Sequence, residues 1–262
     1  MTGPDPNAVD TSLIVPVFNG ADVLLPLQQA LVQWVPTTEW PLEVILVDDG
    51  STDGSRDLLA SMGSLPWLRL CTHASNRGKG AAVRTGMLQA RGRYRVFIDV
   101  DLAYSLDQVT QIRSRLAAGA PVAIAARTHA DSKVLLDSGA VAEFVRRTRA
   151  GRLFNRFVQW LVLPGFADTQ AGLKGFTAAA AEAIFPRTRL DRFAFDVEIL
   201  VIARELGLQI AQVPVVVACR RQQSSVRLGP DSWQMFADLM RIRRQARSGG
   251  YRAQPGEGQR PA

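Results

Sequence analysis

Two aspartates one residue apart, Asp99 and Asp101, follow the apolar run Val96-Phe97-Ile98. Such a run reads as a buried strand, alternate residues of a strand point the same way, and open α/β sheets bind ligands beyond the carboxyl ends of their strands. The spacing predicts two carboxylates on one face of a strand end, a place to hold a divalent metal; two solvated loop aspartates are the alternative, because short D-x-D strings are common. A second acidic pair, Asp48-Asp49, closes Val44-Ile45-Leu46-Val47 and runs into Gly50-Ser51-Thr52-Asp53-Gly54. Small turn residues there let backbone approach a ligand, and an acid there accepts hydrogen bonds from a ribose or a base. Asn76-Arg77-Gly78-Lys79-Gly80 precedes an Ala-rich stretch and suits an anion at a helix N-terminus, without the spacing of a P-loop.

These groups need a scaffold, and apolar runs alternate with amphipathic stretches in the way a parallel, doubly wound α/β sheet requires. Strands are expected at Leu13 to Val17, Val44 to Val47, Leu68 to Cys71, Val96 to Ile98 and Val122 to Ala125. Helices are expected at Val23 to Trp34, Ser55 to Met62, Gly80 to Ala90 and Leu106 to Ala117, with Asp53 and Ser105 as N-terminal caps of two of them. The second half reads as a long basic and apolar stretch from Val141 to Leu163, a Gly-rich loop, a helix from about Asp196 to Leu206, two short strands around Ile210 to Cys219, and a last helix from Asp231 to about Ala246. The length of 262 residues and 47% hydrophobic content suit a single domain, placed at residues 12–246 between a flexible N-terminus (1–11) and a disordered tail (247–262).

The net charge is +7, and only Lys79, Lys133 and Lys174 among the 31 basic residues are lysine, which leaves 28 arginines. Arginine suits bidentate contact with phosphate, so nucleic acid, an anionic membrane surface and a phosphorylated substrate all fit the charge. No nucleic-acid recognition motif accompanies it. Cys71 and Cys219 lack metal-ligand spacing and read as free thiols in a reducing compartment. The first residues lack the layout of a signal peptide, and no apolar run reaches the ~20 residues of a membrane span, so a cytoplasmic protein with at most peripheral membrane contact is expected.

Taken in order along the chain, Val15-Pro16-Val17-Phe18-Asn19, Asp48-Asp49-Gly50-Ser51, Asn76-x-Gly78-Lys79-Gly80, Asp99-x-Asp101 and Asp168-Thr169-Gln170-Ala171-Gly172-Leu173-Lys174 resemble the family 2 glycosyltransferases of the GT-A fold. Within that family the chain is most similar to the dolichyl-phosphate β-glucosyltransferases and related polyprenyl-phosphate glycosyltransferases, from about Leu13 to Arg227. The resemblance implies that Pro16 and the Asp48-Asp49 pair line a nucleotide pocket, with one aspartate reaching base or ribose. Lys79 would lie near the nucleotide or its phosphates, and Asp99 on the ribose or sugar side. Asp101 would ligate Mg²⁺ or Mn²⁺ at the diphosphate, with Asp99 as its companion. Asp168 and Gln170 would sit near the transferred sugar and acceptor, with Lys174 supporting their loop. Arg127 would meet phosphate, and Arg227, in Ser224-Ser225-Val226-Arg227, would close over the diphosphate.

This resemblance implies an inverting, metal-dependent transferase that moves a hexose, glucose from UDP-glucose, onto polyprenyl phosphate at the inner membrane face. Mannosyl transfer from GDP-mannose, a soluble transferase with a small-molecule or glycan acceptor, and a non-catalytic sugar-nucleotide binder remain open, as does a separate membrane subunit. An anionic lipid phosphate needs no strong general base, whereas a hydroxyl acceptor does. Asp168, Asp196 and Glu198 are the candidates for one, the last two also reading as helix N-terminal acids. Val141 to Leu163, with Arg146, Arg147, Arg149 and Arg152 among aromatic and aliphatic residues, reads either as a core helix with a basic face or as a helix lying among lipid headgroups.

Overall fold

A computed structural model describes residues 8–136, 155–166, 168–192, 194–219 and 230–252. Five strands of the first half form where the apolar runs lie: β1 (Thr11–Val17), β2 (Leu42–Asp48), β3 (Leu68–Thr72), β4 (Tyr94–Ile98) and β5 (Val122–Ala125). Between them run α1 (Ala21–Trp34), α2 (Ser55–Ser61), α3 (Lys79–Gln89) and α4 (Asp107–Ala117). There follow β6 (Lys133–Leu136), α5 (155–161), β7 (Leu173–Thr177), α6 (Ala178–Ile184), α7 (Phe195–Glu205), β8 (Ile210–Val213), β9 (Val216–Cys219) and α8 (Pro230–Arg247).

The main sheet has the order β3-β2-β1-β4-β7-β5-β8, and β6 pairs with β9 apart from it. All its neighbours are parallel except β7, which runs antiparallel to both β4 and β5. Strand alternation divides the core. Leu13, Val15, Val44, Leu46, Val96 and Ile98 pack with α1, α2 and α4, whereas Ile14, Ile45, Val47 and Phe97 pack with α3 and α5 to α8. The result is a three-layer α/β/α sandwich, the expected fold class. Order reverses between β1 and β4, the kind of switch point at which a crevice opens. The β1–β4 ladder ends at Ile14↔Phe97, while β1 continues beside β2 to Val17↔Asp48. Pro16, which lacks a backbone N–H, lies beyond the shared ladder and so removes no bond from it.

Four expectations change. Leu173 to Thr177, read as part of a loop, forms the reversed strand inside the sheet. Its short length and central Lys174-Gly175 hide its apolar pattern, although Gly175 is required because a Cβ there would stand 2.4 Å from Ile112 Cγ2. Asp53 does accept from Ser55 N (3.0 Å), but its other oxygen accepts from Ala21 N (3.1 Å), so it also holds the start of α1. Ser105 supplies no side-chain cap to α4, whose N-cap is Leu106. Both ends of the domain reach further than 12–246: Asp10 forms a two-bond pair with Arg113 (2.8 and 3.0 Å), and the chain past α8 turns so that Tyr251 is buried, its hydroxyl donating to Glu198 Oε1 at 2.7 Å. Residues 1–7 and 253–262 lie outside the described residues, as do 141–154 of the basic stretch. Among the described residues, no helix is long and apolar enough to cross a membrane.

Removing the hydroxyl in Tyr251→Phe leaves one oxygen of a buried carboxylate without its donor, so urea unfolding should show a loss of about 2 kcal/mol. An unchanged midpoint would mean that the turn after α8 adds nothing to the domain.

Candidate functional site

At the carboxyl end of β2 the turn folds onto its own acids. Asp48 accepts from Ser51 N (2.9 Å) and Arg56 Nε (3.0 Å). Burial pushes its carboxyl up, but those partners outweigh burial and hold it below the ordinary value. Asp49 accepts from His73 Nδ1 (2.7 Å) and Arg77 N (3.0 Å) on one oxygen, and from Asn76 Nδ2 (3.0 Å) and Gly78 N (2.7 Å) on the other. Both carboxylates are buried and committed to protein donors, and Pro16 is buried within β1. Asp48 fixes the turn between β2 and α2, and Asp49 fixes the loop leading into α3. His73 completes that work by bonding Thr85 through Nε2 (2.9 Å), a role its sequence position gave no sign of. Gly78 is demanded at the loop's end: its φ is +108°, and a Cβ would stand 2.3 Å from Asp191 O.

The loop delivers Lys79 to the end of β4, where its ammonium pairs with Asp99 Oδ1 at 2.5 Å. Burial alone would lower its pKa, but the Asp99, Asp196 and Asp101 carboxylates outweigh that and raise it. Phe97 and Phe195 lie beneath the ammonium, each ring centre 5.9 Å away. β4 itself ends at Ile98, so Asp99-Val100-Asp101 occupies a turn rather than an alternating strand, and Asp101 Oδ1 accepts from Ala103 N at 3.0 Å. The turn is held by Leu102 at φ +50°. Asn19, after β1, is the other described non-glycine residue at positive φ (+48°), so both sides of the sheet's switch point carry sparsely populated backbone.

β7 enters against this turn. Asp99 N donates to Gly172 O (3.0 Å), and a Cβ on residue 172 would stand 1.9 Å from Asp99 Oδ2, so only glycine leaves the carboxylate where it is. Just upstream, buried Asp168 accepts from Arg127 Nε (2.7 Å), Nη2 (2.7 Å) and N (2.9 Å), which joins the end of β5 to the approach to β7. Burial pushes Asp168 up, and the Arg127 guanidinium overrides it and holds the carboxyl low; Arg127 is raised in return against its own burial. Lys174 is fully buried, donating to Ala171 O (2.6 Å) and to Asp196 Oδ1. Its burial lowers its pKa despite that carboxylate. Gln170 Nε2 is buried and has no hydrogen-bond partner among the described residues. Glu198 accepts from Arg189 N (3.0 Å), Leu190 N (2.9 Å) and the Tyr251 hydroxyl, and burial raises its pKa.

The structure thus gathers Lys79, Asp99, Asp101, Arg127, Asp168 and Gln170 around the ends of β4, β5 and β7, and sets Asp48, Asp49 and Pro16 behind them. Arg227 lies outside the described residues. Asp99 and Asp101 fit a hard divalent cation: both are carboxylates, partly exposed at the sheet's carboxyl end. Among the described residues no third His, Cys, Asp or Glu joins them, so the remaining ligands would be oxygens of a bound diphosphate or water.

Residues 12–175 match the model of the family described as "Glycosyl transferase family 2". The chain is 34% identical over 248 residues to a dolichyl-phosphate beta-glucosyltransferase of Dictyostelium discoideum, covering 88% of this chain and 73% of that one. A relative of the same name in Trichomonas vaginalis is 28% identical over 221 residues, and the chain spans 64% of its length. Mannosyl-3-phosphoglycerate synthase of Rubrobacter xylanophilus shares the fold with a TM-score of 0.65 at 21% identity, covering 97% of this chain and 79% of that one. Glucosyl-3-phosphoglycerate synthase of Mycobacterium tuberculosis, crystallised with Mn²⁺, UDP-glucose and phosphoglyceric acid, superposes with a TM-score of 0.58 at 20% identity over 90% and 80% of the two chains.

Gly172→Ala pushes the whole Asp99 carboxyl aside and with it the pair to Lys79, so it should cut kcat/KM for sugar transfer by about a hundredfold through loss of the Asp99 position. Acid unfolding tests the Arg127 pair. Asp168 sits below its ordinary value of 3.8, so its contribution is complete above that pH and is lost as pH falls through the folded value. Asp168→Asn should therefore flatten the decline in stability below about pH 4, and an equally steep decline would refute the coupling.

Proposed function

Because the chain belongs to glycosyl transferase family 2, we propose that it moves a hexose, glucose from UDP-glucose, onto the phosphate of a polyprenyl phosphate with inversion at the anomeric carbon. The names of its relatives, dolichyl-phosphate beta-glucosyltransferases, support glucose as the transferred sugar and a lipid phosphate as the acceptor. One feature of the site carries the choice of acceptor. Each acid that could serve a hydroxyl acceptor as base already has protein partners: Asp168 with Arg127, Asp196 with Lys174, and Glu198 with two backbone N–H groups and Tyr251. A phosphate oxygen is anionic near neutral pH and attacks without a base.

The reaction forms a bond from a phosphate oxygen to the anomeric carbon and breaks the bond from that carbon to the nucleoside diphosphate, which leaves with the electron pair. A single in-line displacement of this kind inverts the centre. Arg127 would draw in the acceptor, a role supported by its geometry: its Asp168 fork uses Nε and Nη2, its Nη1 lies outside that fork, and the side chain remains partly exposed. The buried amide of Gln170 is a donor for a sugar or acceptor oxygen. Lys79 supplies a fixed positive charge beside the carboxylates where the diphosphate would lie, and a donor fixed in advance at developing charge is worth about 3 kcal/mol of barrier. Mg²⁺ or Mn²⁺ held by Asp99 and Asp101 would neutralise the leaving diphosphate. The chain would work peripherally at the inner membrane face, where a lipid phosphate is presented.

Transfer of radiolabel from UDP-glucose into an organic phase should require both Mg²⁺ and added polyprenyl phosphate. Asp101→Ala should lower that turnover at least a hundredfold in a folded protein, and full activity in that variant would sink the metal assignment. Label delivered only from GDP-mannose would change the sugar, and transfer to water-soluble acceptors alone would overturn the lipid reading.

A further inference from the structure

Lys79 stands between two glycines, so the backbone on either side of it does little to fix where its ammonium points. Two buried acids hold that backbone from opposite ends. Before the lysine, Asp49 accepts from Arg77 N and Gly78 N. After it the chain enters α3, whose N-cap, Gly78, offers no side chain to the free N–H groups of the first turn. Asp191 O takes that place and accepts from Gly80 N (2.8 Å) and Ala81 N (3.3 Å). A Cβ on residue 80 would stand 2.8 Å from Leu190 O and 2.7 Å from Phe195 Cβ, so the start of α3 lies directly on the segment 188–195.

That segment is fixed in turn by Glu198. Its Oε2 accepts from Arg189 N (3.0 Å) and Leu190 N (2.9 Å), and its Oε1 from the Tyr251 hydroxyl (2.7 Å). Arg84, from α3, adds a second hold: its Nη1 donates to Thr188 O (3.1 Å) and its Nη2 to Asp191 Oδ1. We infer that Glu198 is a positioning residue for sugar transfer, which sets Asp191 O through Arg189 N and Leu190 N and thereby holds the first turn of α3 and the Lys79 ammonium beside Asp99. The inference deepens the reading of Lys79 as the charge beside the departing diphosphate, and it rests on that reading. It gives Glu198 work unlike that of a base. None of its three hydrogen-bond partners carries a charge, so the position requires an acceptor and no proton moves.

Amide hydrogen exchange and steady-state kinetics on the full chain test it together. Glu198→Ala removes the acceptor and should speed exchange at Gly80 N by more than about tenfold. It should also lower kcat about thirtyfold, short of the cost of deleting a preorganised donor outright, with KM for polyprenyl phosphate little changed. Glu198→Gln keeps an oxygen for the two backbone donors, and its amide N–H can donate to the Tyr251 oxygen, so it should recover most of both losses. In a Lys79→Ala background, Glu198→Ala should cost less than about twofold in kcat, because the two residues act by one route. Should Glu198→Ala fail to fold, Arg84→Met loosens the same segment from the α3 side and should show the same non-additivity with Lys79→Ala. Unchanged exchange at Gly80, fully additive losses in kcat, or a Glu198→Gln variant as slow as Glu198→Ala would each overturn the inference. Exchange is read without substrate, so a wild-type protein that transfers no glucose, with Gly80 still released by Glu198→Ala, would count against the proposed reaction and uphold the hold on α3.

Discussion

The buried pair between Lys174 and Asp196 is the constraint around which the site is organised. Lys174 belongs to the reversed strand β7, is fully buried, and has no route to water for its charge. An ammonium in that position persists only with a carboxylate and further acceptors, and Asp196 together with Ala171 O supplies them. Asp196 opens α7 and also acts on Lys79, whose ammonium is tied to Asp99. One internal ion pair therefore joins the strand inserted between β4 and β5, the helix behind it and the acidic turn after β4. Removing either member would leave an uncompensated charge in the centre of the domain.

From that centre, opposite charges alternate outward. Lys79 answers Asp99, Lys174 answers Asp196 and Arg127 answers Asp168, so an excess of arginine in the chain does not become an unbalanced positive cavity. Preorganisation is the chemical consequence. On the proposed reading, charges held by neighbours in advance would need no rearrangement as a diphosphate departs, the form of catalysis open to a site whose acids are already partnered. The same economy explains why Asp49 is buried: its backbone donors come from the loop that carries Lys79, and the carboxylate sets where that lysine stands.

Glycine completes the geometry where side chains would intrude. Residue 172 admits Asp99, and residue 78 lets the β3–α3 loop pass against Asp191 O, which in turn accepts from Gly80 N at 2.8 Å. The segment around Asp191 leads back through Arg189 and Leu190 to Glu198 and Tyr251. The last turn of the described chain is thus mechanically connected to the start of α3, although it lies far from it in sequence.

By itself the sequence determined the fold class, the first five strands and their helices, and the family. These rest on local information: apolar runs of strand length, amphipathic spacing and an ordered set of motifs. It also singled out Asp99, Asp101, Lys79, Arg127, Asp168 and Gln170, which the structure gathers around the ends of β4, β5 and β7, as candidate site residues. What each of these acids touches was decided by the tertiary structure alone. Asp49 meets His73, Asp168 meets Arg127 and Glu198 meets Tyr251 across separations of 24, 41 and 53 residues, and no local pattern encodes a pairing of that range. The direction of β7 was hidden for the same reason: a five-residue strand holding a lysine and a glycine looks like a loop until a partner carboxylate buries the charge and a neighbouring helix fills the space above the glycine.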